Sequence, residues 1–359
     1  MPYIFLIMIC FSIISPVSAA EYLYIASGNT LQVKLIDQQT GKLREHQTNP
    51  LKGAGPITFS PDHRFLYILA RMPSPEHQYS IATYRIDHEG KLTRLQNAPI
   101  RVRTTYLQAD ANGQYLIGSH YDDGKMSVWK LTNGVYQGQL VQELTLEKKA
   151  HAAVFSRDNR YILVPATGPN KVFQIRFDEK TGAVVPNVPP MANGPDVGAR
   201  QPRHLVFNRR LNVAYTTQER MNPGVAMWEW DPDKGLLELI QQIVTTKKDV
   251  ESITTADLHI TPDNTFLYIS SRDENRERNR IIGFRIDPED GRLHVIGQFP
   301  SEHIPRSFCI SKSGKFLYVA GKGEAKLGVY RIDPDNGHLK KVAQYETGLY
   351  PYWVTTLVK

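Results

Sequence analysis

The chain has 359 residues, of which 41% are hydrophobic, and its formal net charge is +7 at pH 7. A chain this apolar can bury a substantial core, which argues against intrinsic disorder. The positive charge forms no Lys/Arg run of the kind that follows phosphates, so we predict no nucleic-acid partner; a small anionic ligand or a mildly basic surface fits the charge equally well.

The first predicted element is an uncharged apolar segment at the N-terminus. Residues 3–17 carry no charge, and the segment ends in the small residues Val17-Ser18-Ala19-Ala20. Because the run is too short to span a bilayer comfortably, it is typical of a secretory signal. We therefore predict a signal peptide over 1–20 and an exported mature domain over 21–359, periplasmic or secreted, without stable membrane insertion. An uncleaved anchor is the alternative, because no Lys or Arg precedes the run.

The cysteine content excludes an intrachain disulfide in that mature chain. Cys10 lies in the predicted signal, which leaves Cys309 without a partner. Cys309 belongs to the apolar run Ser307-Phe308-Cys309-Ile310. We therefore predict a buried strand residue rather than a nucleophile.

An internal repeat follows the signal segment. A short apolar strand recurs seven times, and the second residues of its copies, 43 to 53 residues apart, are Tyr22, Phe65, Tyr115, Tyr161, Val213, Phe266 and Phe316. A strand, an Asp/Gly turn and another strand follow each copy, as in TYRIDHEGKLTRL. A further short strand precedes most copies, as in LHITPD. Four short strands per unit are typical of a propeller blade, so we predict an all-β, seven-bladed propeller with four antiparallel strands per blade.

Both ends of the repeat predict how the ring closes. The first unit begins at its second strand, near Tyr22, and the C-terminal segment PYWVTTL has the pattern of the missing inner strand. Pairing the two leaves no open edge in the ring. The Pro-rich stretch from Val184 to Gln201 and the charged run that follows Arg272 are predicted to be surface loops.

Two sets of positions in the repeat are candidates for a site. The start of each inner strand and the end of each second strand reach the same face, because the two strands are antiparallel. The first set, the inner column, comprises Gly55, Thr104, His151, Arg203, Ala256, Arg306 and Tyr352, with His204, Asp257 and Trp353 one residue further on. The second set, the second column, comprises Gly28, Arg71, Tyr121, Thr167, Glu219, Arg272 and Lys322.

The charged members of both columns predict one mouth on the propeller axis that holds an anion, because clustered like charges repel without one. The alternative is that each Arg pairs with a nearby acid and ties loops together. Metal binding has little support, since the histidines are scattered and no Cys/His pair has ligand spacing. No nucleotide-binding glycine loop occurs either, so we predict no metal and no cofactor.

Several segments carry a family resemblance: KKAHAAVFSRDNRYILVPATG, QPRHLVFNRRLNVAYTTQE, TTADLHITPDNTFLYISSRD and IPRSFCISKSGKFLYVAGK. The chain resembles the seven-bladed lactonase propellers, which comprise the cycloisomerase-type 6-phosphogluconolactonases and the carboxy-cis,cis-muconate cyclases. This resemblance implies that the catalytic residues are His151, Arg203, Glu219 and Arg272. The remaining polar positions are predicted to bind substrate, namely Arg306, Asp257, His204, Arg71, Lys322 and Tyr352.

The implied function is an exported lactonase that hydrolyses a sugar-acid lactone, such as 6-phosphogluconolactone or gluconolactone, at the mouth of the propeller. The charge of that mouth predicts a small anionic lactone as the substrate. Glu219 or His151 would take the proton from water, and Arg203 and Arg272 would stabilise the oxyanion. One alternative is a lactonising cycloisomerase of the carboxymuconate type. The others are a non-catalytic exported propeller that binds an anion or a protein partner, and a structural module.

Overall fold

Twenty-eight β-strands make up the regular structure of the described part of the chain. The computed structural model describes residues 19–72, 74, 78–246, 252–275 and 277–359. The predicted signal peptide, apart from its last two residues, lies outside these ranges, as does Cys10. No helix within them has the length and apolarity needed to cross a bilayer.

The strands form seven antiparallel sheets of four, which are the predicted blades. Blade 1 consists of β1 (Glu21–Ala26), β2 (Thr30–Ile36), β3 (Leu43–Pro50) and the C-terminal β28 (Trp353–Val358). Blade 2 consists of β4 (Ile57–Phe59), β5 (Phe65–Arg71), β6 (Tyr79–Ile86) and β7 (Leu92–Ile100). Blade 3 consists of β8 (Tyr106–Ala109), β9 (Tyr115–His120), β10 (Lys125–Thr132) and β11 (Val135–Thr145).

The other four blades repeat this order. Blade 4 consists of β12 (Val154–Phe155), β13 (Tyr161–Ala166), β14 (Lys171–Phe177) and β15 (Val184–Asn193). Blade 5 consists of β16 (Arg200–Phe207), β17 (Val213–Arg220), β18 (Gly224–Asp231) and β19 (Leu236–Val244). Blade 6 consists of β20 (Ile253–Ile260), β21 (Phe266–Asp273), β22 (Arg280–Ile286) and β23 (Leu293–Pro300). Blade 7 consists of β24 (Pro305–Ile310), β25 (Phe316–Gly321), β26 (Lys326–Ile332) and β27 (Leu339–Glu346).

The predicted ring closure is confirmed. β28 pairs antiparallel with β1, with Trp353 opposite Ala26 and Val358 opposite Glu21. Inner strands contact one another from blade to blade, among them β20 with β24, β24 with β28 and β28 with β4, and so surround the axis. The second strands are buried along most of their length, and Cys309 is buried and unpaired in β24 as predicted. The seven-bladed, four-stranded fold is therefore confirmed.

The loop predicted over 184–201 is confirmed only over 194–199 and is wrong for the rest of the range. Residues Val184–Asn193 form the outer strand β15, which pairs with β14, and Arg200 already begins β16. An outer strand tolerates proline because the missing N–H faces solvent rather than a neighbouring strand. In the charged run after Arg272, the loop prediction fails for Asp273, which is fully buried at the end of β21 and accepts a hydrogen bond from Arg278 Nε at 2.9 Å.

A tyrosine joins every blade to the next one around the ring. Its hydroxyl donates to a backbone carbonyl in the hairpin between the third and outer strands of the neighbouring blade, at 2.6 to 3.2 Å. The seven donors are Tyr24, Tyr67, Tyr115, Tyr161, Tyr215, Tyr268 and Tyr318. The bond from Tyr318 to the carbonyl of Gly41 joins blade 7 to blade 1, so the series closes.

The same hairpins contain glycines that the neighbouring blade requires. Gly235 has a φ of +71°, and a Cβ there would overlap the ring of Tyr161. Corresponding contacts join Gly41 with Phe316, Gly90 with Tyr22, Gly134 with Phe65, Gly182 with Tyr115, Gly291 with Val213 and Gly337 with Phe266. The seven repeat residues aligned in the sequence are therefore the residues that pack on these turns. The sequence repeat therefore reflects a contact between neighbouring blades as well as a strand.

We expect Gly235→Ala to lower the free energy of unfolding by more than the ~1–2 kcal/mol that a left-handed backbone alone costs a residue with a Cβ. The added loss comes from the displaced Tyr161 ring. Gly138→Ala is the matched control, because Gly138 has a φ of +86° and the nearest atoms lie 3.9 Å from its Cβ position. Chemical denaturation measures both variants; equal losses would contradict an inter-blade role for this turn.

Candidate functional site

Irregularities in three consecutive inner strands build the polar end of the axis. The pairing of inner with second strand shifts register between Pro202 and Leu205, between Thr255 and Leu258, and between Pro305 and Ser307. The residues within these shifts are Arg203, His204, Ala256, Asp257 and Arg306. A bulge re-aims the side chains that it carries. Blades 5, 6 and 7 thus present polar side chains to the axis from within irregular segments of their inner strands.

Glu219, at the end of β17, lies between two buried arginines. Its Oε1 accepts a hydrogen bond from Arg272 Nη2 at 2.7 Å and lies 3.6 Å from Arg203 Nε. Arg203 is 1% exposed and donates to the carbonyl of Ala256, and Arg272 also donates to the carbonyl of Thr255 at 3.0 Å. A carboxylate and two guanidinium groups from neighbouring blades therefore form one buried cluster.

The electrostatics keep all three groups of this cluster charged. Burial raises the pKa of Glu219, but Arg203 and Arg272 outweigh it, and the net pKa lies below its ordinary value. Burial, helped by the charges of Arg272 and Arg306, lowers the pKa of Arg203 to about 9, so the guanidinium stays protonated at neutral pH. Arg203 Nε, Arg272 Nε and Glu219 Oε2 are buried without hydrogen-bond partners among the described residues. Buried polar atoms normally have partners, so these three atoms have hydrogen-bonding capacity that the protein does not use.

A second cluster surrounds the hydroxyl of Tyr352. Arg306 Nη2 donates to it at 2.9 Å and Arg103 Nη2 at 3.2 Å, and the Arg306 guanidinium stacks over the ring at 4.5 Å. Burial by itself would raise the pKa of Tyr352. The charges of Arg306 and Arg103 have the larger effect and lower this pKa to about 8. Burial and, next to it, the charge of the nearby Arg306 lower the pKa of Lys322. Sequence reasoning missed Arg103, and the available signal was its place one residue before the inner column.

Two histidines connect these clusters with the interior of the axis. The ring of His204 in β16 lies 5.1 Å from that of His151, and it also contacts Tyr106 and Trp353. His204 Nδ1 bonds Asp257 Oδ1 at 2.8 Å. These four neighbours belong to four blades other than that of His204, so His204 lies at the axis. Burial and the charge of Arg203 hold the pKa of both histidines below the ordinary value for histidine. The pKa of His204 is about 4.

Below His204 the axis contains a cavity of about 500 Å³. Its walls include His204, Asp257 and Trp353 at one end and Phe155 and Phe207 toward the far ends of the inner strands. His204 thus lies between this cavity and the mouth, defined as the end of the axis that holds Glu219 and Tyr352.

The structure brings together nine of the ten polar residues predicted from the sequence. Arg71 differs: it is exposed, and its guanidinium stacks over Tyr79 of its own blade at 5.7 Å. Its role in binding stays a prediction. Within the residues that the structure describes, no group of three or more His, Cys, Asp or Glu side chains is arranged to hold a metal ion.

A closed seven-bladed propeller with a cation-rich site on its axis defines a class of protein that handles small polar molecules at that axis. The family model described as "Lactonase, 7-bladed beta-propeller" matches residues 18–356. The chain belongs to this lactonase family. The resemblance seen in the sequence and the expectation of an enzyme are thereby confirmed.

Individual relatives agree with this assignment. The 6-phosphogluconolactonase of Enterobacter sp. (strain 638) is 32% identical over 340 residues, which cover 93% of this chain and 98% of that protein. The 6-phosphogluconolactonase of Yersinia pestis (strain Pestoides F) is 30% identical, covering 93% and 97%. The periplasmic gluconolactonase of Pseudomonas aeruginosa superposes with a TM-score of 0.85 at 22% identity, covering 94% of this chain and 99% of that one. At that identity the superposition shows a shared fold.

We expect one tyrosine to ionise near pH 8, because two guanidinium groups stabilise the Tyr352 phenolate. Ultraviolet difference titration of the folded protein measures this step. It should disappear in Tyr352→Phe and move to higher pH in Arg306→Gln, which removes one stabilising charge. A wild-type titration without a step below about pH 9 would contradict the described charge arrangement.

Proposed function

We propose that the protein is an exported lactonase that hydrolyses an anionic sugar-acid lactone at the mouth of the propeller. The observation that carries the proposal is the buried cluster of Glu219 with Arg203 and Arg272, in which both Nε atoms lack hydrogen-bond partners. Family membership and the names of the curated relatives support the same reaction.

The cluster suits the charge that develops during lactone hydrolysis. Attack of water on the lactone carbonyl produces an oxyanion, and preorganised donors in a water-poor site stabilise it. Arg203 and Arg272 keep their charge and offer donors of fixed geometry. Glu219 neutralises part of their charge and holds the two groups beside each other. Proton transfer needs a base as well, for which the sequence offers Glu219 or His151.

The cluster around Tyr352 suits an acidic group elsewhere on the substrate. Five cations converge on the mouth, against the carboxylates of Glu219 and Asp257; they are Arg103, Arg203, Arg272, Arg306 and Lys322. Such a surplus is unfavourable unless an anion compensates it. We propose that Arg306, Arg103 and Lys322 bind a phosphate or carboxylate on the lactone, and that His151 and His204 contact its polar remainder.

The assay is hydrolysis of 6-phosphogluconolactone, gluconolactone and a muconolactone, followed by pH-stat with the mature chain. We expect turnover of the sugar lactones and a kcat about 100-fold lower in Arg272→Lys, which keeps a buried charge but loses the guanidinium fork. The matched control is Arg71→Gln at the same repeat position of blade 2, where the side chain is exposed. Its kcat should stay within twofold of wild type.

The same assay tests the anion-binding cluster. Arg306→Gln should raise the KM for 6-phosphogluconolactone at least tenfold and leave the KM for uncharged gluconolactone within threefold. Wild-type protein that hydrolyses none of the lactones would reject the proposal. Saturable binding without turnover would then favour a binding propeller, and ring closure of the muconate substrate would favour the cycloisomerase.

Export rests on the apolar segment over 1–20 and on the domain boundary that it predicts at Glu21. The periplasmic location named for the Pseudomonas aeruginosa structural relative is consistent with it. We expect full-length protein produced in a Gram-negative host to appear in the periplasmic fraction with an N-terminus at or near Glu21. N-terminal sequencing of the fractionated protein measures this. A membrane-bound product that starts at Met1 would support the retained anchor instead.

A further inference from the structure

The carboxylate of Asp257 is bound on both oxygens. Oδ1 accepts hydrogen bonds from His204 Nδ1 at 2.8 Å and from the backbone N–H of Leu258 at 3.1 Å. Oδ2 accepts from the backbone N–H of Phe308 at 3.2 Å and from His259 Nε2 at 3.4 Å. Burial opposes ionisation, but the two histidines hold the pKa of Asp257 well below its ordinary value. With these bonds in place, Asp257 is fixed by the protein.

This carboxylate determines the tautomer of His204. An ionised carboxylate only accepts hydrogen bonds, so the proton of the imidazole resides on Nδ1. Nε2 therefore carries a lone pair. That atom is buried and has no hydrogen-bond partner among the described residues. A buried acceptor without a partner is costly, and its usual explanation is a bound water or ligand.

Charged and titratable groups from several blades face the same ring. Arg203 on β16, Arg306 on β24 and Asp257 on β20 act on its charge, and His151 and Tyr106 contact it. Burial and the arginines keep the ring neutral, with a pKa of about 4. The lone pair on Nε2 is therefore available throughout the neutral range.

The two candidate bases from the sequence are less suited to this role. Glu219 is bound to Arg272 at 2.7 Å and is close to Arg203, so its neighbours stabilise its ionised form and oppose protonation, whereas Asp257 favours the protonated form of His204. Nδ1 of His151 has no hydrogen-bond partner among the described residues, so no carboxylate fixes the tautomer of His151 through that nitrogen. His204 combines a fixed tautomer, a free lone pair and a carboxylate that stabilises its protonated form.

We propose that His204, oriented by Asp257, is the general base of the reaction. This rests on the proposed lactone hydrolysis. His204 Nε2 takes a proton from water while the water oxygen bonds to the lactone carbonyl carbon, and the carbonyl electron pair moves to its oxygen beside the arginines. When that electron pair forms the carbonyl double bond again, the bond from the carbonyl carbon to the ring oxygen breaks. The imidazolium then gives its proton to the ring oxygen, and the product is the open hydroxy acid.

The test compares two histidines that share Asp257. His204→Gln should lower kcat by about 100-fold or more and change KM less than threefold, because the lost group acts in proton transfer. His259→Gln, on the other carboxylate oxygen and with a side chain 39% exposed, is the control and should keep kcat within threefold. Thermal unfolding of both variants checks that the propeller remains folded.

The pH dependence separates a base from a merely structural histidine. In wild type, kcat should rise with pH through the pKa of His204, about 4, because Nε2 must be unprotonated to accept the proton. This rise of kcat with pH should persist in His259→Gln and disappear in His204→Gln. Asp257 acts as a positioning residue, so Asp257→Asn should lower kcat more than it changes KM, since an amide can also donate and so reverse the tautomer.

Nitrogen-15 NMR of labelled histidine provides a readout that needs no turnover. We expect the His204 proton on Nδ1 at pH 7 and a titration near pH 4. A proton on Nε2 would overturn the assignment of the base while leaving lactone hydrolysis intact. So would wild-type turnover retained in His204→Gln. Absence of wild-type turnover on every lactone would overturn the proposed function, and the general base with it.

Discussion

The site depends on one repeated contact, in which a tyrosine and a neighbouring side chain of each blade dock on the hairpin of the next. Seven hydroxyl-to-carbonyl bonds and seven glycine turns hold the sheets in a closed ring, the last of them joining blade 7 to Gly41 of blade 1. Each bond contributes only about 1 kcal/mol net, but closure makes every blade contact two others. The ring brings side chains about 50 residues apart in sequence to the same point on the axis.

Burying charged groups at the axis costs free energy of folding. Two guanidinium groups and a carboxylate are removed from water between blades 5 and 6. The backbone carbonyls of Thr255 and Ala256 accept hydrogen bonds from the arginines that water would otherwise accept. A buried pair is weak evidence for stability, since desolvation offsets most of its attraction. In the proposed function, a bound ligand would satisfy the unpartnered donors of Arg203 and Arg272.

The same cations have two effects that reinforce each other. In the proposed function they attract an anion to the mouth. Together with burial they also keep the nearby imidazoles neutral, because a second positive charge beside an arginine is unfavourable. Asp257 counters this field at His204 and would stabilise the protonated form of that imidazole. The effect on Tyr352 is the opposite, because Arg306 and Arg103 stabilise its ionised form and so lower its pKa. The mouth therefore sets the protonation state of each group by its distance from the arginines and from a carboxylate.

By itself the sequence determined the number of blades, the ring closure by its last strand and nine of the residues that meet at the mouth. Strand and turn patterns are local, and their spacing maps onto fixed positions in a blade. It missed Arg103, misassigned the strand Val184–Asn193 as a loop and did not distinguish Arg71 from Arg272. Only the tertiary structure decided which side chains pair: Glu219 with Arg272 and His204 with Asp257 lie 53 residues apart. Those pairings depend on bulges and on the angle between blades, which no local pattern encodes.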